Sequence, residues 1–134
     1  MGNSMGRNIV AGVLGVLVAV GLVWIVDVTG HAVYPPPANL DYSDEDAMRA
    51  YVAALSLGAL LFVGGAWFIG VLGGTFAACK IGRAKPEVYA MVVGGFILVA
   101  TVANLMMIPH PLWLSITGIA GIVLAAWLGQ KLSG

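Results

Sequence analysis

Apolar residues fall into four long runs separated by short polar or proline-containing segments. The first, Ile9 to Val26, carries no charge. It is long enough to cross a hydrocarbon layer of ~30 Å at ~1.5 Å per residue, and longer than the ~7–15-residue core of a signal peptide. It predicts a transmembrane helix over about 9–28, closed by Asp27. Gly30 argues against continuation to His31, although a continuing helix would bring Asp27 and His31 onto one face.

Three consecutive prolines, Pro35 to Pro37, then impose an extended stretch in the one substantial loop. Ser43-Asp44-Glu45-Asp46 restarts a helix: Ser43 is placed to cap it, and the acidic residues favour the positive end of its dipole. From Ala47 to Cys79 only Arg49 interrupts the apolar run. The segment 47–79 exceeds one perpendicular crossing, so it predicts a strongly tilted helix or one whose first turns stand outside the hydrocarbon. Arg49 can pair with Glu45 or Asp46.

A basic turn containing Lys80, Arg83 and Lys85 leads to a third span, 88–108. Pro109-His110-Pro111 ends that helix and starts a fourth span, 112–130, as its tight antiparallel partner. The fold class is therefore all-α: a single domain of four transmembrane helices in a compact bundle, with one proline-rich outer loop.

Small residues recur at helical spacing within these runs. Ala66, Gly70, Gly74 and Ala78 draw one stripe, flanked by Gly73 and Ala77; Ala90 and Gly94, and then Gly121, Ala125 and Gly129, draw others. Lipid tails are as apolar as leucine, so spans associate through close backbone approach along such faces. The stripes predict packing seams.

Composition strengthens the membrane reading. The 134-residue chain is 60% hydrophobic and only 9% charged, where soluble domains carry roughly 25% charged residues. Its formal charge is zero, which gives no reason to expect a nucleic-acid partner. The single cysteine, Cys79, excludes an internal disulfide and reads as a small apolar residue at a helix end.

The basic residues are distributed one-sidedly: Arg7, Lys80, Arg83, Lys85 and Lys131 share one side of a four-span layout, against Arg49 on the other. This bias predicts cytoplasmic termini in a bacterial inner (plasma) membrane. Trp24, Trp113 and Tyr51 then fall near the outer interface and Trp127 near the inner one, while Trp67 falls mid-span.

With that orientation, Asp27, His31, Asn104 and His110 gather near the outer interface. One carboxylate and two imidazoles are candidate ligands for zinc or copper, or members of a proton-linked group. Asn104 has to face another helix, because an amide in lipid needs a partner. The chain contains no G-x-S-x-G, no H-E-x-x-H, no phosphate-cradling loop and no haem-attachment motif, and nothing in it specifies a cofactor.

In size and span count the chain is similar to small multidrug transporters, without their buried first-helix glutamate. It is similar in the same way to small fluoride channels, without their polar track, and to four-helix quinone-reducing enzymes, without their paired cysteines. None of these likenesses transfers a site residue. The leading expectation is a non-catalytic integral membrane protein: an accessory or structural subunit bound through small-residue faces to copies of itself or to a larger complex in the lipid bilayer. An oligomeric channel or transporter is the alternative. An outer-face metal or proton site built from Asp27, His31 and His110 is the third reading.

Overall fold

The computed structural model describes residues 2–108 and 110–134. Five helices follow one another: α1 (Gly2–Val33), α2 (Glu45–Ala53), α3 (Leu57–Ile81), α4 (Pro86–Met107) and α5 (Leu112–Ser133), with no strand among the described residues. Four of them, all but α2, are long and apolar enough to cross a membrane. The two ends of the bundle are called here the termini end and the loop end.

The long run 47–79 is not one helix. It divides at residues 54–56, where the Ser56 hydroxyl accepts the Ala59 amide and starts α3 afresh. The preceding turn is closed by the amides of Ala54 and Leu55, which donate to the carbonyls of Ala50, Tyr51 and Val52. The break frees α2 to fold its apolar pair, Met48 and Val52, into the protein, where both are buried. The α2 cap also differs from expectation. Asp44, one residue after Ser43, accepts the amides of Asp46 and Ala47, because its carboxylate reaches both orphan donors. Ser43 instead donates its hydroxyl to Asp41.

Nor does α1 stop at Asp27. It runs through Gly30 to Val33, because Gly30 lies against the Phe62 ring, where a side chain would collide. Pro109, expected to end the third span, lies outside the described residues; α4 ends at Met107, and Pro111 supplies the N-cap of α5.

Helix α3 is the centre of the bundle. It packs against α1, α4 and α5, and α4 also touches α1 and α5, whereas α1 and α5 share no contact among the described residues. The α3 stripe faces α1. A Cβ placed on Gly70 would come within 2.8 Å of the Ala19 carbonyl oxygen, and one on Gly74 within 2.5 Å of the Gly15 carbonyl oxygen. From the other side, a Cβ on Gly15 would come within 2.7 Å of Ala78. Ala11, Gly15 and Ala19 on α1 are all buried, so two small-residue stripes lie face to face. Ala66 is buried in the same stripe, Gly73 lies against Leu22, and Ala77 is half-buried beside it.

On α5 the buried face runs Leu114, Gly118, Ile122, Ala125 and Gly129, with Gly121 only half-buried. Gly129 meets Thr75 and the Leu72 carbonyl of α3, and Gly118 receives the Trp67 ring. Trp67 is 5% exposed, an internal packing residue.

Candidate functional site

At the loop end, α1, the loop after it, α2, α3, α4 and the α4–α5 connection border a half-open cavity of about 230 Å³. Asp27, His31, Asn104 and His110, drawn from three separate segments of the sequence, all line it. The continuation of α1 past Gly30 puts Asp27 and His31 on one face, with Oδ2 and Nδ1 3.8 Å apart and both side chains about half exposed. His110 is turned by the short connection so that its Nδ1 lies 2.8 Å from the Ile108 carbonyl. A carbonyl can only accept, so Nδ1 is the donor in this contact. The His110 ring also meets Trp67 edge-on at 6.3 Å, which ties the site to the bundle core.

Asn104, half-buried on α4, stands between this cavity and a smaller cleft along α4 that includes Thr101. The metal arrangement does not form: among the described residues, no three His, Cys, Asp or Glu side chains come together as a ligand set. Asp27 and His31 share a helix face, whereas the His110 imidazole is directed to Ile108 and Trp67.

The remaining wall is aromatic, and apart from Tyr51, which the sequence places near the outer interface, its residues were not singled out from the sequence. Tyr34, Tyr42, Tyr51 and Phe62 line the cavity alongside Met48 and Val52. Tyr34 and Phe62 are in edge contact at 6.0 Å, and the Tyr34 hydroxyl occupies the space left by the absent side chain of Gly58. Tyr51 comes from α2, whose separate direction depends on the break before Ser56. Partial burial pushes the Tyr51 phenol above its ordinary range, with the nearby Tyr42 and Asp27 adding to the effect, so it remains a neutral hydroxyl.

A second polar cluster, also missed from sequence, lies at the termini end. Asn8 Oδ1 accepts the amides of Arg83 and Ala84 and the hydroxyl of Tyr89, at 2.8, 3.1 and 2.8 Å. Arg7 Nε donates to the Ile81 carbonyl at 2.6 Å, satisfying an orphan acceptor at the negative end of α3. These bonds satisfy backbone groups of the turn, a structural role. The termini-end basic residues were read for orientation alone, and a lone Asn gives no signal of its partners.

Comparison of the chain with protein-family models, with curated proteins and with solved structures gives no match in any of the three.

Proposed function

We propose that this chain is a non-catalytic accessory subunit of a membrane complex, with both termini on the cytoplasmic side of a bacterial inner membrane. The observation that carries the reading is a set of glycines whose smoothness the bundle itself does not use. A Cβ on Gly21, Gly65 or Gly95 would meet nothing within 4 Å, yet glycine inside a helix costs about 1 kcal/mol relative to alanine. The α3 stripe at 66, 70, 74 and 78 is already occupied by α1 and is unavailable to a partner. The outward groove between α3 and α5 takes its place. It has a volume of about 350 Å³, is floored by Gly64, Gly65 and Gly121, and is bordered by Phe68 and Trp113. Its occupant is a transmembrane helix of another chain, held by close van der Waals approach.

Mild solubilisation of the native membrane followed by native mass spectrometry tests this. Stoichiometric partner spans are expected with the wild-type chain and should be lost with Gly65→Leu or Gly121→Leu, while thermal stability stays unchanged. Partners retained by both variants would remove the groove from this account. Isolation without any companion chain would remove the subunit reading.

The alternative of an oligomeric pathway draws support from Asn104, which borders both the loop-end cavity and the cleft containing Thr101. Solute flux through liposomes holding the purified protein tests it. Flux that is absent from empty liposomes and reduced by Asn104→Leu would favour a pathway over a subunit.

A further inference from the structure

We propose that the loop-end cavity binds an organic ammonium ion: the head of a quaternary or protonated amine, presented as a lipid headgroup or as a free solute. The cavity is too small for the ~300–1,000 Å³ typical of drug-sized ligands, but at about 230 Å³ it accommodates a compact head. Its walls carry four aromatic rings, those of Tyr34, Tyr42, Tyr51 and Phe62. Aromatic faces attract cations within ~6 Å of the ring centroid, and walls of several rings are the recurring solution for alkylammonium heads.

The polar lining has the matching sign. Asp27 supplies a carboxylate, with His31 3.8 Å from it on the same helix face, and Asn104 offers an amide oxygen. Among the described lining residues there is no lysine or arginine. Asp27 is 48% exposed, so its charge alone would hold a cation weakly; the aromatic walls have to supply the discrimination.

The charge of the whole molecule agrees, by a separate line of reasoning. Five of its six acidic residues, Asp27, Asp41, Asp44, Glu45 and Asp46, lie at the loop end, with Arg49 as the only one of six lysines and arginines there. Arg49 is moreover engaged by Glu45 at 3.1 Å. Such segregation concentrates cations at the mouth of the cavity. A phosphate or carboxylate ligand would meet the opposite field.

The test is equilibrium binding of choline to the intact protein in uncharged dodecyl maltoside micelles at pH 8, with 3,3-dimethylbutan-1-ol as the uncharged probe of the same shape. Choline is expected to bind at least tenfold more tightly than the alcohol. Tyr51→Leu is expected to weaken choline by roughly tenfold and Asp27→Asn by roughly two- to fivefold, each leaving the melting temperature within the wild-type range. Because Asp27→Asn keeps shape and volume, it remains informative if Tyr51→Leu fails to fold. Repeating the titration with phosphatidylcholine added to the same micelles, which leaves their surface charge unchanged, separates the two sources: weaker apparent choline affinity there identifies a lipid headgroup as occupant, and equal affinity identifies a free solute. Equal binding of choline and the alcohol, or no binding of either, would overturn the proposal.

Discussion

Asn8, in the first turns of α1, holds the hydroxyl of Tyr89 on α4 at 2.8 Å, and the same amide oxygen receives two backbone amides of the turn between α3 and α4. Tyr89 is 1% exposed, and its hydroxyl fills the space over Gly82, where a side chain would collide. One short polar side chain therefore ties α1 to α4 and to the turn that follows α3. Removing a partner from such a group costs about 1–3 kcal/mol when the donors are left unpaired; here the Ala84 amide keeps the Tyr89 hydroxyl as its acceptor at 3.1 Å, which places Asn8 toward the lower end. We expect Asn8→Leu to destabilise the protein by this amount and Tyr89→Phe by less. The double variant should be less destabilised than the sum of the two, as measured by reversible unfolding in mixed micelles. Strictly additive effects would show the pair to be uncoupled.

Two glycines on the same helix should behave oppositely. A Cβ on Gly74 would lie 2.5 Å from the Gly15 carbonyl oxygen, whereas one on Gly65 meets open space. Gly74→Ala is expected to lose about 1–3 kcal/mol by forcing α1 and α3 apart, and Gly65→Ala to be neutral or to gain up to ~1 kcal/mol of helix propensity. Thermal melts of the two proteins in one detergent compare them directly. Equal melting temperatures would contradict the α1–α3 packing.

Trp67 and Gly118 form a size-matched pair, since a Cβ on Gly118 would come within 2.5 Å of the indole. Gly118→Ala should cost about 1–3 kcal/mol through overpacking. Trp67→Phe should recover part of that loss in the Gly118→Ala background while being destabilising on its own. Failure of the smaller ring to rescue would place the indole elsewhere.

The loop should respond to acid through Asp41. Its carboxyl accepts the Ser43 hydroxyl at 2.6 Å and the Ser43 amide at 3.0 Å, which together hold it below the ordinary aspartate range. A depressed folded-state pKa means that the turn is supported above the unfolded value and loses that support as pH falls through the lower folded value. The Ser43 amide resonance should therefore shift only in that acidic window, and Asp41→Asn should abolish the transition. A Ser43 shift that persists in the variant would assign it to another group.

Topology can be read with a single cysteine at Asn39 in a Cys79→Ser background. The basic-residue bias predicts labelling of intact cells or spheroplasts by a membrane-impermeant maleimide. Labelling only after lysis would reverse the orientation.

The apolar runs and the polar breaks between them were sufficient to read four spanning helices, because a backbone in lipid satisfies its own hydrogen bonds only as a helix or a closed barrel. Small residues every fourth position were equally legible on α3. The same spacing at Ala11, Gly15 and Ala19 on α1 was open to the same reading and supplies the surface that α3 uses. The break before Ser56 carried a weaker signal, since an apolar run contains no mark for the point where its helix can stop. It depends on α2 finding a place to bury Met48 and Val52, which is a property of the assembled bundle.

The candidate site divides in the same way. Charge and hydropathy along the chain were enough to bring Asp27, His31, Asn104 and His110 to one end, because the number of crossings determines which segments share a side. They carried no distances, and so could not separate a metal centre from a half-open cavity. Tertiary packing decided that. Gly30 seated on Phe62 lets α1 carry His31 past the expected helix end, the His110 imidazole is drawn to Ile108 and Trp67, and α2 brings Tyr51 to the wall. Periodicity and charge are properties of single segments and can be read one at a time. The shape of a cavity depends on how far apart several segments stop, which is set by side chains that meet only after the helices have packed.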